Sequence, residues 1–292
     1  MINKNYLVLL AFALFQFSCE NFVEVELADD EPQLVVNSFF NADSALKVSV
    51  TTNKLISTFN HNFETVENAV VELYQNHQNS GLLSNAGLGN YRFSDRLSDV
   101  TGTIYSLKVK APGFETAEAT EIMPPKPDIT SFTNDPATGN SGSMYKSYKV
   151  KLTLKDIAEK TNFYFIRGWL IDKNNRKWPI YFSLNNNLGQ FSPRSTASSE
   201  MYLFNDKSFN GQSAQLDLGP IQVYIPTDDA YSIAIELANT TESYYDYQYS
   251  VKKQVETTPV FGPESKPVSN NIKNGLGVFA IYNPATSTFN VK

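Results

Sequence analysis

Cysteine and histidine are nearly absent from this chain, which has one cysteine and two histidines among 292 residues. A single thiol cannot close an intrachain disulfide, so a secreted form must be stabilised by its hydrophobic core. The histidines, His61 and His77, lie in polar, Asn-rich stretches, where we expect exposed loops. Residues 129–292 contain no histidine, which excludes a Ser–His–Asp triad in that half. No Cys/His cluster has the spacing of a zinc site, and we expect no cofactor.

The chain also lacks an excess of basic residues and a long apolar run. It has 24 Lys and Arg against 30 Asp and Glu, a formal net charge of -6 at pH 7. Phosphate contacts need clustered basic side chains, so we expect no nucleic-acid partner. The apolar stretch at residues 6–15 is shorter than the roughly 20 residues that a membrane-spanning helix needs.

The stretch at residues 6–15 does have the length of the hydrophobic region of a signal peptide. It is followed by Ser18, Cys19 and an acidic segment, an order that resembles a bacterial lipoprotein signal. Gln16 stands where such signals usually have a leucine-like residue, so an ordinary secretory signal with an incidental cysteine is the alternative. We expect a signal peptide over residues 1–18, lipidation of Cys19 and an acidic tether over residues 19–31.

The residues that follow the tether have the alternation of half-buried strands. The stretches LKVSVTTNK from Leu46 and IYSLKVK from Ile104 alternate apolar and polar side chains, with glycine in the intervening turns. Period-two alternation with polar punctuation is typical of antiparallel strands with one buried face. We expect an immunoglobulin-like or transthyretin-like β-sandwich over residues 32–123.

A proline cluster divides this region from the rest of the chain. Three prolines fall within MPPKPD, and proline favours an extended, stiff connector. We therefore expect a linker at residues 124–128 and a second, β-rich domain over residues 129–292. One helix is predicted there, over residues 239–256, with Asn239 and Glu242 forming a start like a capping box.

The predicted helix is rich in tyrosine. Tyr244, Tyr245 and Tyr247 fall within about one turn. Two interpretations remain open: an aromatic contact surface for a sugar or a peptide, or rings that pack against the sheet with their hydroxyls at its edge.

The clearest local signature is SNNIKNGLGVFAIY, near the C-terminus. Asn274 and Gly275 form a preferred tight-turn pair, and Gly277 allows close backbone approach at the start of a last strand. No G-x-G-x-x-G pattern opens a helix here, so the motif is not a dinucleotide-binding loop. Asn271, Asn274, Gly275, Gly277 and Phe279 are the structural signature of this ending.

The chain as a whole resembles a family of Bacteroidota lipoproteins known as domain of unknown function 4249. The resemblance rests on the order of several motifs: Ser18-Cys19-Glu20, the first strand at residues 32–36, Y-x-L-x-V-x-x-P-G from Tyr105, Tyr244-Tyr245, and N-I-x-N-G-L-G-x-F from Asn271. It implies a lipid-anchored protein of the outer membrane, at the cell surface or on the periplasmic face. It also implies an accessory role to a TonB-dependent transporter in nutrient uptake. From the scarcity of histidine and cysteine and the lack of a metal-binding motif, we expect a binding protein and not an enzyme.

Two other functional classes remain open. A surface adhesin or an envelope-assembly factor would use the sheet edges for protein contact. A carboxylate-based hydrolase would need only two acids brought together by the fold.

The sequence also offers a candidate metal site and a candidate modification site. Asp228 and Asp229 precede a predicted strand and are weak candidates for calcium ligands, although an Asp-Asp pair more often starts a turn. Ser44, within Asp43-Ser44-Ala45, matches a short O-glycosylation motif of the phylum that the resemblance implies.

Overall fold

The computed structural model describes most of the chain from Pro32 onwards. The described residues are 32–53, 63–137, 144–158, 160–186, 188–192, 199–225, 230–256 and 267–291. The predicted signal peptide and tether, Cys19, His61, Asp228 and Asp229 lie outside these ranges. No helix within the ranges has the length and apolar character required to cross a membrane.

The protein is mainly β, as predicted, with sixteen strands and one α-helix in the described residues. The strands are β1 Leu34–Phe40, β2 Lys47–Thr52, β3 Val70–Gln75, β4 Gln78–Leu82, β5 Ser84–Gly87, β6 Asn90–Arg92, β7 Ile104–Lys110, β8 Ala117–Ile122, β9 Asp128–Pro136, β10 Tyr145–Lys155, β11 Phe163–Asp172, β12 Lys177–Pro179, β13 Met201–Asn205, β14 Ser213–Tyr224, β15 Tyr231–Thr240 and β16 Leu276–Asn290. The helix, α1, is Glu242–Glu256.

The strands form one long sheet and two small ones. The long sheet has nine strands in the order β12-β11-β15-β16-β1-β2-β6-β5, and β13 also pairs with β11. The small sheets are β4-β3-β7-β8 and β14-β10-β9. In the long sheet β1 pairs in parallel with β16, with Val36 opposite Gly277. Strands from both sides of the predicted linker at residues 124–128 therefore belong to the same sheet.

One face of the long sheet carries two separate hydrophobic cores. Along β1, Leu34, Val36 and Phe40 point into the first core, which also contains residues of β3, β7 and β8. Along β11, Tyr164 and Ile166 point into the second core with residues of β10 and β14. Each core is thus closed by one small sheet, which is the layered arrangement of a β-sandwich.

The opposite face of the long sheet is covered by α1. Phe165, Ala238, Val278 and Ala280 are fully buried there and pack with Tyr244 of the helix. The helix begins at Glu242 and not at Asn239, because residues 239 and 240 complete β15. Thr241 takes the position before the helix, where its carbonyl oxygen accepts a hydrogen bond from the Tyr245 amide at 3.4 Å.

Candidate functional site

An ion pair lies on the helix-covered face of the long sheet. Arg167 of β11 stands opposite Glu236 of β15 in the strand register. The Nε of Arg167 donates to Glu236 Oε1 at 2.8 Å, and its Nη2 lies 2.6 Å from the same oxygen. The side chains are only 25% and 16% exposed, so solvent screens this attraction weakly. Burial of the guanidinium is the largest single effect and lowers the pKa of Arg167, but the carboxylate of Glu236 together with the hydroxyl groups of Tyr282 and Tyr244 raises that pKa overall.

Aromatic rings frame the guanidinium group of Arg167. Its central carbon lies 5.0 Å from the ring centre of Phe165, 5.3 Å from that of Trp169 and 5.8 Å from that of Tyr282. Phe165, Arg167 and Trp169 alternate along β11 and so share one face of the strand. An ion pair held between rings has little freedom to rearrange, so the guanidinium group has a fixed orientation.

A cavity of about 220 Å³ opens beside this ion pair. We call it the Arg167 cavity; it is lined by Arg167, Trp169, Pro179, Ser199, Glu200, Met201, Tyr244 and Gln248. Half of the lining residues have polar side chains, and the other half supply aromatic and aliphatic surface.

The cavity lies near the point where the outer edge of β11 changes partner. Arg167 of β11 pairs with Met201 of β13, whereas Trp169 pairs with Pro179 of β12. Gly168 lies between these pairings, and a Cβ there would come within 2.6 Å of the Ile180 side chain. Two short strands thus share one edge of β11, and the cavity lining draws on both of them.

The three tyrosines of the predicted aromatic contact surface differ in how deeply they are buried. Tyr244 is 5% exposed and stacks on Phe165 with ring centres 5.6 Å apart, and it also lines the Arg167 cavity. Tyr245 packs on Phe163 and is half-buried, as is Tyr247, whose ring lies 5.5 Å from that of Phe39. Burial raises the pKa of Tyr244, which stays a neutral phenol. The three rings therefore mainly attach α1 to the sheet, which is the second of the two interpretations.

The C-terminal signature fastens β16 to the rest of the molecule. The side-chain amide of Asn271 donates to Phe279 O at 2.7 Å, and its Oδ1 accepts from the Phe279 amide at 2.9 Å. Asn274 has a φ of 56° in the turn. A Cβ at Gly275 would lie 2.9 Å from the carbonyl oxygen of Leu34, and one at Gly277 would collide with that of Val36. These residues thus allow β16 to lie against β1.

Asn271 also holds a partly buried acid. Its side-chain amide donates to Glu121 Oε1 at 2.8 Å, and Ser243 Oγ donates to the same oxygen at 2.5 Å. Burial raises the pKa of Glu121, although these hydrogen bonds oppose the shift. A cavity of about 440 Å³ lies beside this acid and is lined by residues 120–125, 160–163 and 239–242. Glu121 thus connects β8, α1 and the C-terminal signature.

The structure brings two further acids together in the second core. Asp156 accepts hydrogen bonds from the Tyr164 hydroxyl at 2.5 Å and from the Gly211 amide at 2.8 Å. Asp206 accepts from the amide of Asn162 at 2.8 Å. Burial raises the pKa of Asp206. The two acids are 5% and 1% exposed, so this pair anchors loops and is closed to a substrate.

The other candidate residues from the sequence either lie at the surface or fall outside the residues that the structure describes. Ser44 lies in the exposed turn between β1 and β2, beside a cavity of about 470 Å³ that Arg92 and Arg96 also line. His77 is exposed, in the turn between β3 and β4. Within the described ranges, no three His, Cys, Asp or Glu residues are grouped closely enough to hold a metal ion. Asp228 and Asp229 are outside these ranges, so their metal binding stays a prediction.

Sequence reasoning missed Arg167, Trp169, Glu236 and Gln248. A signal for the ion pair was available: the apolar runs FYFIRGWLI and IAIELA each carry one charged residue. A buried charge requires a partner, so two such strands of opposite charge are expected to be neighbours. The cavity itself left no sequence signal, since it depends on four elements, β11, β12, β13 and α1, that the fold brings together.

Comparison with known proteins gives one match. The model of the family described as Domain of unknown function (DUF4249) matches residues 20–288, nearly the whole chain. No curated protein matches the sequence.

Proposed function

The chain belongs to the family described as Domain of unknown function (DUF4249), and we propose that it is a lipid-anchored binding protein of the outer membrane. In this proposal it is a Bacteroidota lipoprotein exposed at the cell surface. It captures a ligand there as an accessory to a TonB-dependent transporter in nutrient uptake.

The Arg167 cavity is the observation that carries the binding role. Its central cation is held by Glu236 and by three rings before any ligand arrives. Preorganised polar groups lower the entropic cost of binding, because few side chains must be ordered on association. The cavity is lined by separate strands and by α1, so the ligand would contact a rigid part of the fold.

The order of features at the N-terminus supports the anchor. Cys19 follows an apolar stretch of signal-peptide length, and the family match begins one residue later, at residue 20. That start agrees with a mature chain that begins at Cys19. Three acyl chains on one cysteine would exceed the two hydrophobic signals that stable membrane attachment requires.

The test is an affinity pull-down of the native protein from solubilised outer membranes, beside a Cys19→Ala control. Mass spectrometry identifies the co-purified proteins. We expect a stoichiometric TonB-dependent barrel with the native protein and its absence with the control. A native protein that is lipidated and surface-exposed, yet recovers no barrel, would overturn the transporter role.

A second candidate function, adhesion or envelope assembly, is favoured by a different surface. Met144, Tyr145 and Tyr224 are each about half exposed at one end of β10 and β14. The two tyrosine rings lie 5.1 Å apart, and Tyr, Trp and Met are enriched where proteins meet. Under this function a Tyr224→Ser variant would lose binding to matrix or envelope proteins, while Gln248→Ala at the Arg167 cavity would retain it.

A further inference from the structure

We infer that the Arg167 cavity binds an uncharged, polyhydroxylated ligand, a single saccharide ring, through Trp169, Gln248 and Arg167. This inference rests on the proposed binding role and adds the chemical class of the ligand. The contents of the cavity favour this class over anions, peptides and apolar molecules.

The charges disfavour an anionic ligand. Among the described residues of the lining, Arg167 is the only Lys or Arg, and two of its nitrogens already contact Glu236. An incoming anion would have to share the guanidinium with the Glu236 carboxylate, and repulsion between like charges in a partly buried site is strong. An uncharged ligand avoids this cost.

The polar lining suits hydroxyl groups. Arg167 only donates hydrogen bonds, whereas the Gln248 amide both donates and accepts them. A hydroxyl group is itself both donor and acceptor, so adjacent hydroxyls on a ring could be satisfied by this mixed set. A purely apolar ligand would remove these partly buried polar groups from water without replacing their hydrogen bonds, which weakens binding.

The apolar lining suits the carbon face of a ring. Trp169 and Tyr244 contribute aromatic surface, while Pro179 and Met201 contribute aliphatic surface. Aromatic side chains combine broad apolar contact with a polar edge, which matches a molecule with one C–H face and a hydroxylated rim. The volume of about 220 Å³ equals roughly seven water molecules, enough for one ring and too small for a folded peptide segment.

The chain offers a direct optical readout, because it has only two tryptophans. Trp169 lines the cavity, and Trp178 is 42% exposed in β12. A Trp178→Phe background leaves Trp169 as the only tryptophan. Its fluorescence is titrated with glucose, galactose, mannose, xylose and N-acetylglucosamine, and with glucuronate and inorganic phosphate as anionic probes.

We expect a saturable change with at least one neutral sugar and a weaker or absent response to the anions. In the same background, Gln248→Ala is expected to weaken the affinity about fivefold to tenfold, the value of one hydrogen bond. Asp246→Asn, an exposed position on the same helix outside the cavity lining, is the matched control and should leave the affinity unchanged.

Three results would overturn the inference: no saturable response to any neutral sugar, tighter binding of an anionic probe, or an affinity that Gln248→Ala does not change. These results are separable from the transporter role. A barrel that co-purifies with a protein giving no sugar response refutes the ligand class alone. Sugar binding without a barrel refutes the transporter role alone.

Discussion

Substitution of Gly277 by alanine tests the contact that joins the two halves of the long sheet. Gly277 has a φ of 111° and lies opposite Val36 in the parallel pairing of β1 and β16. A Cβ would collide with the Val36 carbonyl oxygen and lie 3.0 Å from Asn37 Oδ1. The unfavourable φ costs about 1–3 kcal/mol, and forcing an extra methyl group into a packed strand pair adds about 1–3 kcal/mol. We expect a total loss of about 2–6 kcal/mol in the free energy of unfolding, the sum of these two costs.

Gly102→Ala is the matched control that measures the cost of the positive φ alone. Its φ is 85°, and a Cβ there would meet nothing within 4 Å, so only the conformational cost of about 1–3 kcal/mol applies. Urea-induced unfolding of both variants, followed by tyrosine and tryptophan fluorescence, gives the two losses directly. Equal losses would refute the close approach of β16 to β1, and no loss at either position would refute the cost of the positive φ.

Three further predictions concern the ion pair and the C-terminal signature. Glu236→Gln should lower the free energy of unfolding by about 2–3 kcal/mol, because it leaves the partly buried charge of Arg167 without its partner. In a double-mutant cycle, the variant that carries both Arg167→Met and Glu236→Met should recover much of this lost stability. Asn271→Ala should cost about 2–3 kcal/mol in urea unfolding, because it removes hydrogen bonds to both Glu121 and Phe279, and an unchanged stability would contradict that role. Burial raises the pKa of Glu121 above its ordinary 4.5, so its contribution to stability is greatest below pH 4.5 and falls as the pH rises through the raised value. Melting temperatures measured upwards from pH 4 should show this fall in the native protein, and Glu121→Gln should remove it.

Much of the fold could be predicted from local patterns. The alternation in IYSLKVK is reproduced in β7, where Tyr105, Leu107 and Val109 are buried and the residues between them are half-buried. The helix was also predicted, from the capping pattern at Asn239 and Glu242, and the last strand was predicted from the Asn-Gly turn that precedes it. The start of α1 was misplaced because β15 extends through Thr240, and strand pairing overrode the capping pattern at Asn239.

The sequence by itself determined where regularly alternating strands such as β2 and β7 lie, which of their faces is buried, and that no intrachain disulfide can form. These are local properties, because side-chain alternation and residue type require no knowledge of a distant partner. Only the tertiary structure decided that β1 pairs with β16 and that Arg167 lies opposite Glu236. An alternating pattern shows that a strand has a buried face but does not identify its neighbour, and the Arg167 cavity exists only once β11, β12, β13 and α1 have come together.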